Sequence, residues 1–240
     1  MEIHESTLLA SIKKNLVMWI IIFSCILVLS YDSNILGGFL TFFAMLFFSH
    51  LFHFACHWEW VYPFNSTHLL HHKESKYNKV FPQLVLEFCS FLFIILLKEG
   101  LIQNFDWQFL KIINNWVILF YYIFYTTVHN VNYSIFHVND VHEIHHKNVY
   151  LNLGPDICDI IFNTKSNPEE GVEDTTHYIP NSLVATILTL VIKYFWDLGS
   201  DYESWIKKGF VNLYVFMASL LVLLTIICFL EDKGYIFCEK

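Results

Sequence analysis

The chain has 240 residues, of which 55% are hydrophobic and only 15% charged, too apolar a balance for an ordinary soluble domain. A formal net charge of -8 leaves no basic face for phosphates, which excludes nucleic acid as a partner. No linker, low-complexity run or fixed-period repeat divides the sequence, so residues 1–240 are expected to form a single integral-membrane domain.

In chain order, Lys13 and Lys14 precede a first apolar run over residues 16–31. It resembles a signal peptide but lacks a clean small-x-small cleavage site, so it reads as a retained span. Asp32-Ser33-Asn34 separate it from a second run over 35–54. A spanning helix needs roughly 20 apolar residues. Residues 57–82 are polar and lie outside the membrane on this reading. Further apolar runs follow at 84–97 and 110–128, then a second polar stretch at 129–180, then apolar runs at 183–196 and 210–230. The expected fold is all-α, a polytopic membrane bundle of four to six apolar segments with a cytosolic histidine-rich helical cap. The short runs at 84–97 and 183–196 are the weakest spans and could lie in the interface instead.

Lys13 and Lys14 favour a cytosolic N-terminus. With two hairpins after it, both polar segments return to the cytosolic face. The sequons at Asn65 and Asn132 are then expected to carry no glycan. Cys25, Cys56, Cys89, Cys158, Cys228 and Cys238 are scattered, form no CxxC pair and read as small buried hydrophobes.

The 13 histidines are the most informative feature. His53 and His57 form HxxxH. His68, His71 and His72 form HxxHH, and His142, His145 and His146 form a second HxxHH. His129 stands just after the 110–128 run. On a helix, positions i, i+3 and i+4 share a face, so each box aims its imidazoles one way. Eight or nine imidazoles are too many for one ion and suit two. Imidazole suits first-row metals, and as a neutral ligand it adds no charge to desolvate at a membrane boundary. Iron adds the ability to activate O2, which redox-inert zinc lacks. A surface-histidine alternative gives no reason for the polar segments to prefer His over Lys. A metal transporter would place ionisable residues within the spans, and these spans are nearly free of charge. His50 and His137 lie near the boxes but outside the pattern, and His4 and His177 read as bystanders.

These residues resemble the fatty acid hydroxylase / sterol desaturase superfamily, whose pattern is HxxxH, HxxHH and HxxHH with one further histidine before the last box. The likeness covers about residues 50–165 and extends past the last box to Asn152, Gly154, Asp159, Phe162, Thr164 and Lys165. It departs from the family at Phe54, where Arg commonly follows the first histidine, and at Asn163, where Gly is usual in the final turn. The resemblance implies two iron ions held by His53, His57, His68, His71, His72, His129, His142, His145 and His146, with O2 as co-substrate. It further implies an oxidoreductase that hydroxylates an unactivated C–H bond of a fatty acyl or sterol lipid, or desaturates it at the same site. The location implied is the endoplasmic reticulum membrane, with the metal site facing the cytosol. No HPGG-type haem motif is present, so a separate electron donor such as cytochrome b5 and its reductase is expected. Ligating imidazoles need an acceptor for the second nitrogen, and Asp140, Glu143, Glu74, Asp156 and Asp159 are the acids nearest the boxes. Each reads first as a solvated surface acid, with Asp156 and Asp159 the better candidates for acceptors. Asn132 and Tyr133 are expected to line the substrate side.

Overall fold

The computed structural model describes residues 2–62, 64–72, 80–166 and 172–197. The run at 210–230, Cys228, Cys238 and Glu74 lie outside the described residues. Every regular element among the described residues is helical, as the apolar runs imply. The chain divides into two units, Met1–Phe54 with Asp106–Val191 and Ala55–Phe105 with Ile192–Lys240.

In the first unit, α1 (Glu2–Lys14) and α2 (Leu16–Ser30) meet at a 69° bend. Asn15 occupies that bend. Its Oδ1 accepts the Thr175 N–H at 2.8 Å and its Nδ2 donates to the Glu173 carbonyl at 2.9 Å. Both ends of the amide therefore tie the 172–175 segment to the bend instead of capping α2. After a short turn, Asn34 caps α3 (Ile35–Ala55) by accepting the Gly37 N–H at 2.9 Å. A Cβ on Gly38 would collide with the Ser30 side chain, so this close approach requires glycine. Trp19 and Phe23 pack tilted on each other and edge-on against Phe39, Phe42 and Phe43, and Phe42 also packs on Tyr121. Each such pair adds roughly 0.5–1.5 kcal/mol beyond the area it buries.

The 110–128 run is not one unbroken helix, as the sequence pattern suggested. A 3-10 turn over Gln108–Ile112 ends in extended backbone, and α6 starts only at Asn115 and runs to Thr127. Asn114 sets that start: its Oδ1 accepts the Trp116 and Val117 N–H groups at 2.9 and 3.2 Å. The 13 residues of α6 give roughly 20 Å of α-helix. A π-helix over Val128–Tyr133 continues from its end. The short helices α7 (Val141–Lys147) and α8 (Asp156–Phe162) follow, then α9 (Tyr178–Asp197).

α9 is apolar outward and polar inward. Leu183, Val184, Ile187, Leu188 and Val191 are exposed, while Ser182, Thr186 and Thr189 are buried. That inversion suits lipid as the surroundings, since small and hydroxylated residues pack helices together in an apolar solvent. Two helices, Ile35–Ala55 and Tyr178–Trp196, are long and apolar enough to cross a membrane, and the bent α1–α2 pair makes a third if counted as one span. This supports a membrane protein with two to three such spans among the described residues.

In the second unit, α4 (Phe64–His72) packs on α5 (Val80–Phe105), with Phe64 and Phe88 against the buried Val85 and Cys89. The turn before α4 is closed by Asn65, whose Nδ2 donates to the Cys56 carbonyl at 2.9 Å. Asn65 is buried, as is Asn132, whose Nδ2 donates to His177 O and Asn181 Oδ1. The nitrogen a glycan would need is engaged in both sequons. Cys25, Cys56, Cys89 and Cys158 are free and buried, as small hydrophobes should be.

Candidate metal centre

In the second unit, His57, His68 and His72 each offer a nitrogen within 4.8 Å of the other two. His68 and His72 sit on α4, one turn apart. His57 does not share a helix with His53, because α3 ends at Ala55. The HxxxH spacing therefore does not act through one helical face; the turn after α3 carries His57. The His68 Nε2 lies 3.2 Å from the His57 Nε2 and 3.1 Å from the His72 Nε2. Two imidazole nitrogens bound at right angles to one first-row ion, each at about 2.1 Å, would stand about 3 Å apart. The spacing fits a shared ion. His71 is buried beside them, its ring 6.2 Å from that of His68 and 5.9 Å from that of His72.

The protonation of His68 follows from its neighbours. Its Nδ1 lies 2.9 Å from the Gln83 Oε1, and the Gln83 Nε2 donates to the Glu87 carboxylate at 2.9 Å. A carboxylate only accepts, so the amide must present its oxygen to His68. Nδ1 then carries the hydrogen, and the Nε2 lone pair is left for a metal. Burial, with His72 and His57 close by, pushes the His68 imidazolium well below its ordinary range, and burial pushes His57 down to about 4. Both are neutral at neutral pH, as ligands must be.

In the first unit, the ring pairs are His53–His145 at 4.6 Å, His53–His129 at 5.9 Å and His129–His142 at 4.7 Å. The His142 and His146 Nε2 atoms are 2.9 Å apart. His53 ends α3, His129 lies in the π-helix, and His142, His145 and His146 line one face of α7. His145 is wholly buried, and His53 and His129 nearly so. The rings of Tyr133 and His142 stack at 5.9 Å.

For His53 and His145 the acceptors of the second nitrogen are backbone carbonyls and not the nearby acids. The His53 Nδ1 lies 2.7 Å from Leu153 O, and the His145 Nδ1 lies 2.8 Å from Leu151 O. Both rings therefore turn Nε2 towards the ligand position. Glu143 is exposed and paired with Lys147 instead, and Asp140 is exposed. Asp156 takes the Ser11 hydroxyl at 2.9 Å and pairs with Lys165. Asp159 shapes the carbonyl loop. It accepts the Gly154 N–H at 2.8 Å and the Thr164 hydroxyl at 2.7 Å. Burial pushes its carboxyl up to about 7.

The other residues singled out after the last box serve the same loop. Asn152 accepts the Ser166 N–H at 3.0 Å and donates to Val141 O, from a left-handed backbone with φ 50. Asn163 ends α8 with φ 57 and ψ 39, a conformation that asparagine tolerates better than most residues, so it fills the turn where glycine is usual. Phe162 stacks on His50 at 4.9 Å, and the His50 Nδ1 lies 3.0 Å from Gly154 O. His50 thus buttresses the loop. Phe54 packs on Tyr150. His137 is exposed, and His177 meets Asp174 O at 3.0 Å. The side chain of His4 lies outside the described residues.

A cavity in the first unit adjoins these histidines. Met18, Trp19, Ile22, Phe42, Leu46 and Phe124 form its apolar wall, and His53, His129 and His142 also line it. Tyr133 lines it, whereas the Asn132 amide bonds Asn181. Glu173, Thr175 and Tyr178 also line it, and no sequence pattern had marked them. Gln83 and Glu87 had also escaped notice, although a polar pair at i and i+4 inside an apolar run was a visible signal. The chain matches no known protein family, curated protein or solved structure.

Proposed function

We propose that the protein is an O2-dependent lipid hydroxylase or oxidase of the endoplasmic reticulum membrane, with its histidines on the cytosolic side. His53, His57, His68, His71, His72, His129, His142, His145 and His146 would supply the ligands to two iron ions. Bound iron would supply the activation of O2 that a C–H bond otherwise resists. The donor set favours it: imidazoles, with His53, His68 and His145 held in the tautomer that leaves Nε2 to ligate, and nitrogen spacings near 3 Å.

The observation that carries the reading is the shared lining of one cavity. An apolar wall able to hold a lipid tail and the imidazoles of His53, His129 and His142 face the same space. The chain's own residues would bind the tail, exclude water and bring one carbon of it to the histidine end. Electrons would come from a separate donor such as cytochrome b5 with its reductase.

Mass spectrometry of lipids from cells expressing the wild type or His145→Ala tests this. The expected result is a lipid that gains one oxygen atom with the wild type alone. Loss of two hydrogens instead would assign the same site to desaturation. Identical lipid profiles would contradict the reading.

A further inference from the structure

We propose that the first-unit cavity takes a lipid whose polar end is uncharged, a hydroxyl or amide that donates to Glu173, and that it rejects a free carboxylate or phosphate. This rests on reading that cavity as the substrate site.

Three carboxylates, Asp156, Asp159 and Glu173, line the cavity, and among the described residues lining it there is no lysine or arginine. In the metal-free cavity a buried anionic headgroup would meet like charge, with no lysine or arginine in the lining to offset it. Two of the acids are already committed, Asp159 to Gly154 and Thr164, and Asp156 to Ser11 and Lys165. Glu173 differs. Its Oε1 accepts both the Tyr133 hydroxyl at 2.8 Å and the Asn139 Nδ2 at 2.7 Å, which leaves Oε2 for a further donor.

Two residues on, the Thr175 hydroxyl is buried and has no hydrogen-bond partner among the described residues. A buried hydroxyl without a partner calls for one, and Thr175 is among the residues that line the cavity. A ligand hydroxyl or amide meets both demands, donating to Glu173 and accepting from Thr175. The pair is also fixed in place: Asn15 binds the Glu173 carbonyl and the Thr175 N–H with its two amide ends. Trp19, Ile22 and Phe42 then hold the hydrocarbon part.

The test is retention of radiolabelled lipid by the full-length, metal-free protein in nanodiscs, at a pH where Glu173 is ionised. The probes are 1-hexadecanol, cholesterol and palmitic acid. The proposal expects the alcohol or the sterol to bind about tenfold more tightly than palmitate, and whichever it is names the source. It expects Glu173→Gln and the near-isosteric Thr175→Val each to lose most of that preference while palmitate binding does not fall. Palmitate binding as tightly as both alcohols, or both variants keeping the wild-type preference, would overturn it. Because no iron is present, the outcome is independent of whether the chain oxidises anything. A negative result here leaves the lipid-oxidation assay to judge that reading separately.

Discussion

The His53 imidazole is anchored by the Leu153 carbonyl, with Nδ1 2.7 Å from that oxygen. A carbonyl can only accept, so the contact fixes which nitrogen of His53 bears hydrogen and which is free to ligate. Leu151 does the same for His145 from two residues earlier on the same loop. One loop therefore sets the tautomer of two candidate ligands that lie far apart in sequence.

The loop's shape depends on Asn152, whose side chain ties it to both Val141 and Ser166. Asn152→Ala is expected to weaken metal binding by about 10–100-fold, the usual loss when the partner of a ligating histidine is disturbed. Titration of the metal-free protein with Co2+, followed by its visible absorption, measures this.

Gln83→Leu removes the acceptor that orients His68 and leaves the Glu87 carboxylate buried without its amide donor. It should weaken Co2+ binding by a similar factor of about 10–100. Glu87→Gln, which can still accept from Gln83, should cost much less. Equal losses in the two variants would argue for a general packing defect.

Much of this was legible in the sequence. The three histidine boxes pointed to side chains that the structure clusters, and the residues after the last box, Asn152, Gly154, Asp159 and Thr164, proved to build the loop that orients His53 and His145. The acceptors themselves were not legible, because they are backbone carbonyls and carry no residue-type signature. The 110–128 run misled because hydropathy does not register a cap: Asn114 starts the helix late within an otherwise apolar stretch. Glu173 and Thr175 were invisible because their role depends on Asn15, which lies more than 150 positions earlier in the chain.

Burial, with Asp156 nearby, pushes the Glu173 carboxyl from 4.5 up to about 7. The unfolded chain ionises first, so between about 4.5 and about 7 the unfolded state holds fewer protons than the folded one, and stability falls as pH rises through that window. Thermal unfolding of the metal-free protein should show this decline. Glu173→Gln should flatten the part of it due to Glu173, leaving that from Asp159, whose carboxyl is also raised to about 7.

Leu46 is 3% exposed and lines the cavity wall. Leu46→Trp should fill part of the cavity and reduce lipid retention and turnover, at an overpacking cost of about 1–3 kcal/mol in stability. Iron content should stay at the wild-type level, since no ligand is touched. Loss of iron in this variant would tell against a separate role for the cavity wall.

The most direct measurement is the iron content of the full-length chain purified from its native membrane, by elemental analysis, for the wild type and His145→Ala. The account predicts two iron ions per wild-type chain and a clear loss in the variant, whose substitution removes a wholly buried imidazole. A wild-type chain that carries no iron, or that keeps its full iron content in His145→Ala, would contradict it.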